Sequence, residues 1–227
     1  MNAKQAAAKE AIEYIKDGMN IGLGTGTTAY WAIQYIGEKV KQGLRVQAIA
    51  TSIQSQNLAQ ELGIPIIGFA EAGHLDITID GADEVDGQLQ LIKGGGGALL
   101  REKIVAAATK FYIIIADDKK LVDTLGKFKL PVEVIPFGWE LTAVKLRNLG
   151  SEPGLRAGNN GPFITDNGNY ILDCAFGSIP SPGVLQEKIN AITGVVDNGL
   201  FVDMADCVIA GTEEGDVKIL HKKKKIK

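Results

Sequence analysis

The sequence predicts an α/β protein: a mostly parallel, Rossmann-like sheet domain with helices on both faces, joined to a smaller ferredoxin-like α+β domain. Three observations predict it. From Met19 to Ala116, short apolar runs alternate with segments of 3.6-residue period, the pattern of buried parallel strands covered by helices. Loops rich in glycine or in acids follow three of those apolar runs. Beyond Leu130 the order becomes strand, helix, hairpin, helix, strand, which is that of a small α+β unit. With 227 residues, 45% apolar and 22% charged, the chain is long enough for one large domain or two unequal ones, and collagen, coiled coil and disorder are excluded. Residues 1–129 and 205–227 are assigned to the catalytic α/β domain and 130–204 to the small domain, which is also expected to carry oligomer contacts.

Each element has its own signal. Ala7, Ala11, Ile12 and Ile15 recur at helical spacing within 6–16, and Gly18 ends that helix. Met19 to Leu23 is a strand that breaks into Gly24-Thr25-Gly26-Thr27-Thr28, after which Trp31, Ala32, Tyr35 and Ile36 resume the helical period. A strand over 45–50, a helix from the N-cap Ser52 to Leu62, and strands over 64–69 and 75–79 follow. An acidic loop, Asp80 to Gly87, leads to a short strand over 89–93, four consecutive glycines, a helix over 98–109 and a buried strand over 111–116. In the small domain the sequence predicts a strand over 131–137, a helix over 140–149, a hairpin turning at Asp166-Asn167-Gly168-Asn169, a helix over 184–192 and a strand over 195–201. Strands over 207–210 and 217–220 are expected to return to the first sheet.

Charge and cysteine content narrow the partners. The net charge of −3 hides an acidic body, since the last ten residues hold six lysines and leave 18 basic against 27 acidic residues elsewhere. Such a body has no footprint for nucleic acid. The basic tail from His221 reads as a solvated terminus in preference to a phosphate or membrane patch. Cys174 and Cys207 are too few for a disulfide scaffold or a zinc cluster, the N-terminus lacks a signal-peptide pattern, and no apolar window reaches about 18 residues. A cytoplasmic protein without membrane contact is expected.

Three loops carry chemistry. Gly22 to Thr28 lacks the third glycine of a dinucleotide fingerprint and the lysine of a P-loop, leaving a glycine loop with three threonines at a helix N-terminus. Free amides and the helix dipole suit a phosphate there, although a capped tight turn has the same residues. Asp80, Asp83, Glu84 and Asp86 stand at a strand's carboxyl end, where ligands gather in parallel sheets; they suit sugar hydroxyls or form a solvated acidic loop. The spacing does not fit a calcium loop. Lys93-Gly94-Gly95-Gly96-Gly97 spends backbone entropy that an ordinary turn does not require, and its amides, with an ammonium beside them, suit a developing oxyanion. In the next helix Glu102 shares a stripe with Ala98, Leu99, Val105 and Ala106, so it is expected on a buried face, as a general base or a structural ion pair. Lys119 or Lys120, at another strand end, can reach a phosphate or stay a surface pair. His74 and His221 build neither a metal set nor a catalytic triad.

Taken together, Gly24 to Thr28, Asp80-Gly81-Ala82-Asp83-Glu84, Lys93 to Lys103, Ala116 to Lys120, Leu130 to Pro136 and Thr165 to Asn169 resemble the ribose-5-phosphate isomerases of the A type, in order and spacing, nearly end to end. The resemblance implies that Thr25, Gly26, Thr27 and Thr28 hold a phosphate with Lys120 adding charge. It implies that Asp80, Asp83 and Lys93, with Gly81 and Ala82, meet the sugar, that Gly94, Gly95 and Gly96 line the oxyanion region, and that Glu102 is the base. It further implies interconversion of D-ribose 5-phosphate and D-ribulose 5-phosphate through a cis-enediolate in the non-oxidative pentose phosphate pathway, no cofactor or metal, a cytosolic location, and a homodimer or homotetramer. Thr27 stands where serine is commoner, and Ser151 to Gly161 matches least well. A coenzyme A transferase using Glu102 as nucleophile and a sugar-phosphate sensor are the competing readings.

Overall fold

The computed structural model describes residues 2–222; the lysine-rich tail from Lys223 onward lies outside the described residues. The chain forms two compact units, one of Met1–Ala82, Arg101–Leu121 and Asp203–Lys227, the other of Asp83–Leu100 and Val122–Val202. Residues 83–100 and 122–129, which the sequence alone puts with the larger domain, group with the second unit.

The first unit is built on a six-stranded sheet in the order Val217–His221, Cys207–Gly211, Tyr112–Asp117, Ile77–Gly81, Asn20–Leu23, Gln47–Ala50. All neighbours are parallel except the first pair, in which the strand Val217–His221 returns antiparallel. The apolar runs form these strands because burial on both faces removes any need for polar alternation. Ala48 belongs to a core with Ile21, Ile33, Ile79 and Ile113, whereas the next residue, Ile49, joins a separate cluster with Leu75 and Val105. Successive side chains of one strand thus enter cores on opposite faces.

The helix Ala3–Ala11 begins at a capping box between Asn2 and Gln5 and buries only alanines. Small side chains let it lie close, and a Cβ on Gly211 would collide with its Ala3 carbonyl. The helix Thr27–Lys41 buries Ala29, Ala32, Ile33 and Ile36, a 3.6-period stripe. Of the expected strand over 64–69, only a single bridge, Ala48 to Ile66, is formed, and Phe69–Ala72 is a short helix.

The second unit holds a four-stranded antiparallel sheet, Val195–Asn198, Leu130–Val134, Tyr170–Ala175, Glu152–Leu155, with the helices Trp139–Arg147 and Pro182–Asn190 in its crossovers. In chain order this is 4-1-3-2 with a βαββαβ sequence, the ferredoxin-like arrangement. Two details differ from the sequence reading. The partner of Tyr170–Ala175 is Glu152–Leu155, hidden by Pro153 and Gly154, so Asp166 to Asn169 turns the chain ahead of the strand without joining two strands of the main sheet. The single strand expected over 195–201 is split at Gly199: Leu200–Phe201 leaves the sheet to pair with Leu91–Ile92, which also pairs with Glu84–Val85.

Both cysteines are free and buried, and burial pushes the thiol of Cys174 up to about 12 and that of Cys207 up to about 11. At about pH 8 neither is expected to react with Ellman's reagent in the native protein, whereas both react once the chain is denatured. Rapid labelling of the native protein would show that one of these cores opens.

Candidate active site

In the first unit the glycine loop leaves the strand Asn20–Leu23 beside the end of Ile77–Gly81. Gly24 donates its N–H to the Ile79 carbonyl at 2.9 Å, and a Cβ there would collide with the Asp80 carboxylate. That bare backbone admits Asp80, which is fully buried. Its Oδ1 accepts from Thr25 N at 3.1 Å and Gly81 N at 2.7 Å, while Oδ2 accepts from the Tyr112 hydroxyl at 3.2 Å. Burial, reinforced by the charges of Asp80 and Glu102, pushes the Tyr112 phenol well above the ordinary tyrosine range, so it remains a donor.

Thr25 turns its hydroxyl into the protein, 2.7 Å from Thr51 Oγ1 and 2.8 Å from Ser52 Oγ; Ser55 Oγ donates to the Gly24 carbonyl at 2.7 Å. These buried hydroxyls fix the loop from below, and the sequence reading missed Thr51 and Ser55. Gly26 then takes φ 101° as N-cap of Thr27–Lys41 and offers no side-chain cap to the first-turn amides. Gly26 and Thr27 are exposed and Thr28 is partly so. Lys4 Nζ donates to Thr27 Oγ1 at 2.8 Å, which brings a cation to this helix end from a residue that sequence reasoning passed over. Amides, dipole, hydroxyls and ammonium are the groups that suit an anion at a helix end.

Glu102 is 3% exposed on the first turn of the helix Leu99–Ala107, and Val105 and Ala106 of the expected stripe are buried with it. Arg101 and Lys103 are partly exposed. Lys120 lies in the short turn after the strand Tyr112–Asp117, and its neighbour Lys119 is engaged by Glu213. Gly81 and Ala82 complete the exit of the strand Ile77–Gly81 and are partly exposed.

In the second unit Asp83 accepts the Gly95 N–H at 2.7 Å on Oδ2, and a Cβ on Gly95 would fall 2.6 Å from its Oδ1. Lys93 is 2% exposed, with its ammonium 5.3 Å from the Phe201 ring centroid and its own N–H donating to the Gly199 carbonyl at 2.8 Å. Gly94 and Gly97 are buried with φ of 97° and 82°, so both need glycine, while Gly95 and Gly96 are exposed between them. Of the four loop acids, two are structural. Glu84 accepts from Gly126 N at 2.7 Å and Phe128 N at 2.5 Å, and Asp86 accepts from the amides of Gln88 and Gln90.

Among the described residues no three His, Cys, Asp or Glu side chains are grouped to hold a metal, and no helix is long and apolar enough to cross a membrane.

Residues 47–215 match the family model of ribose 5-phosphate isomerase A (phosphoriboisomerase A). The chain is 56% identical over 216 residues to ribose-5-phosphate isomerase A of Bacillus anthracis, covering 95% of this chain and 98% of that one. It is similar to a solved D-ribose-5-phosphate isomerase in complex with phospho-erythronic acid, at 44% identity and TM-score 0.94 over 97% of this chain and 100% of that one. The structure of ribose 5-phosphate isomerase A from Methanocaldococcus jannaschii gives 44% identity and TM-score 0.92 over 96% and 98%.

The Gly24 contact makes a direct prediction. In urea melts Gly24→Ala is expected to cost about 1–3 kcal/mol, the usual penalty of overpacking. Gly87→Ala, where a Cβ meets nothing within 4 Å, changes stability by less than about 0.5 kcal/mol. Equal effects would refute the close approach of Asp80.

Proposed function

The chain belongs to the ribose 5-phosphate isomerase A family and is an isomerase of ribose 5-phosphate, and from that premise we propose that it interconverts D-ribose 5-phosphate and D-ribulose 5-phosphate through a cis-enediolate with Glu102 as general acid and base. The observation that carries this reading is the burial of Glu102 on the first turn of the helix that directly follows the glycine run. The two sugars differ by one proton moved between C2 and C1. After ring opening the Glu102 carboxylate takes the C2 proton, and the electron pair left behind moves to the carbonyl oxygen at C1 to give the enediolate. The negative oxygen is held by the Lys93 ammonium and the amides of Gly94 and Gly96, the Gly95 N–H being donated to Asp83. The C2 hydroxyl proton passes to the C1 oxygen, which moves the negative charge to the C2 oxygen, and as the C2 carbonyl forms the Glu102 carboxylic acid returns its proton to C1.

The phosphate rests on Gly26, Thr27 and Thr28, with Lys4 and Lys120 adding charge and Thr25 anchoring the loop. Asp80 and Asp83 meet the ring oxygen and hydroxyls. Binding energy from the phosphate, remote from the reacting carbons, is thereby converted into position. The reading supplies a cytoplasmic enzyme of the non-oxidative pentose phosphate pathway that needs no cofactor or metal. Its quaternary form is a homodimer covering an apolar patch of the second unit, where Phe137 is 91% and Leu141 71% exposed, with Ile135 and Val144 nearby in sequence.

Proton NMR in deuterated water after chelator treatment tests the chemistry: ribose 5-phosphate is expected to yield ketose carrying deuterium at C1. Absence of ketose would overturn the isomerase reading. Glu102→Gln, nearly isosteric, is expected to lose turnover by several orders of magnitude while still binding substrate. Turnover within about tenfold of wild type, about 1.4 kcal/mol, would remove Glu102 from the role of base.

Sedimentation tests the dimer. The wild type is expected at twice the chain mass and the double variant Phe137→Glu/Leu141→Glu at the chain mass, and a dimeric variant would place the interface elsewhere.

A further inference from the structure

The glycine run is usable as an oxyanion site only if its peptide planes are fixed, and glycines do not fix themselves. A Gly-Gly peptide rotates at little steric cost, and a half-turn would replace the N–H presented to a negative oxygen by a carbonyl. Something must hold the carbonyl ends. In the second unit Arg156 Nη1 donates to the Gly94 carbonyl at 3.0 Å and to the Gly95 carbonyl at 3.1 Å. Because a trans peptide is planar with its C=O and N–H opposed, these two bonds set the directions of the Gly95 and Gly96 N–H groups. The first of these goes to Asp83. The second, in the exposed part of the run, points away from Arg156.

The arginine is itself held firmly. Its Nε and Nη2 donate to the two Asp173 oxygens at 2.9 and 2.5 Å, and its side chain is only 14% exposed. Arg156 N donates to the Ile171 carbonyl at 2.8 Å, which ties its backbone to the sheet that carries Asp173. The guanidinium lies 5.7 Å from the Phe163 ring centroid, and that ring covers Gly97 closely enough that any Cβ there would collide with it. Two side chains from the poorly matched stretch and its edge therefore clamp both ends of the glycine run. The rigid fork of arginine is what permits this: two nitrogens engage the carboxylate while the third spans two carbonyls, a geometry that a lysine ammonium does not reproduce.

We propose that Arg156, oriented by Asp173, is a positioning residue for catalysis: it locks the Gly94–Gly95 and Gly95–Gly96 peptides so that the Gly96 amide is presented to the enediolate oxygen. This rests on the reading of the glycine run as the oxyanion site.

The test is steady-state kinetics of Arg156→Lys, Arg156→Ala and Asp173→Asn, with thermal melting of each and inhibition by phospho-erythronic acid, a phosphorylated acid whose carboxylate carries delocalised negative charge as the enediolate does, and by inorganic phosphate. Arg156→Lys is expected to melt as wild type and to lose about a hundredfold in kcat, the cost of one misplaced oxyanion donor, with KM changed less than about threefold. Its affinity for phospho-erythronic acid falls with kcat, while inhibition by inorganic phosphate is unchanged. Asp173→Asn loses less, and millimolar guanidinium chloride, but not sodium chloride, restores part of the kcat of Arg156→Ala. A kcat for Arg156→Lys within about threefold of wild type, or a loss confined to KM and melting temperature, overturns the proposal. If that happens while the wild type isomerises and Glu102→Gln does not, the isomerase reading stands alone. A wild type that makes no ketose overturns both.

Discussion

The carboxylate of Asp80 is the constraint on which the first unit's functional end depends. It sits at the exit of a strand buried on both faces, where a charge is costly unless every lone pair is engaged. The chain meets that cost with groups from three places: the Thr25 amide, the Gly81 amide and the Tyr112 hydroxyl. Satisfying one buried charge thereby fixes the glycine loop, the strand exit and a side chain of the neighbouring strand with a single set of bonds. Gly24 has no side chain because the carboxylate occupies the space one would fill. The inward hydroxyls of Thr25, Thr51, Ser52 and Ser55 finish the job from the other side, and the helix end at Gly26 is presented as a consequence of packing beneath it.

The second unit solves a similar problem with backbone. Gly94 and Gly97 adopt positive φ and lie against Leu99 and Phe163, so the ends of the run are buried and its middle is exposed. Gly199 performs a related service, since a Cβ there would strike the Lys93 carbonyl; its own carbonyl receives the Lys93 N–H. The lysine is thus placed by main-chain bonds while its ammonium lies near the Phe201 ring. Glycine in these loops is a requirement of close approach, and flexibility is removed by neighbours that hold the carbonyls and amides.

Much of this was legible in the sequence because it is local. Period and breaker residues mark the strands, the Ser52 cap and the buried stripe through Glu102, and a run of four glycines or a cluster of acids at a strand exit announces unusual backbone without any knowledge of partners. What escaped depends on pairing between distant segments. Nothing near Pro153-Gly154 marks it as a strand, because its pairing is supplied by Tyr170–Ala175. Arg156, which follows it, carries no signal of its own for the same reason. Lys4 reaches Thr27 only after a helix and a strand intervene, and the inward turn of the Thr25 hydroxyl follows from Thr51 and Ser52, 26 and 27 residues away. The split of the last small-unit strand at Gly199 is invisible to periodicity, since apolar residues stand on both sides of it and pair in different sheets. The acids of the loop at 80–86 look equivalent as letters; only their partners separate them, Glu84 holding Gly126 and Phe128, Asp86 its own turn, Asp80 the first glycine loop and Asp83 the Gly95 amide.

The same distinction separates the buried acids among the described residues, which are Asp80, Glu84, Glu102 and Glu133. Glu84 holds the amides of Gly126 and Phe128; Glu133 Oε1 accepts from Thr165 Oγ1 and from the side-chain amides of Asn167 and Asn169, fastening the turn before a central strand. Asp80, Glu84 and Glu133 are each held in place by hydrogen bonds that their carboxylates accept from a loop. A group that accepts a proton from one carbon and returns it to the next has the opposite requirement: its position must survive its own change of charge. Glu102 meets that requirement because a helix carries it, and a helix backbone is held by bonds between main-chain atoms that do not depend on the state of the side chain. A carboxylate placed by a helix in this way suits the proton carrier that the proposed enediolate mechanism requires.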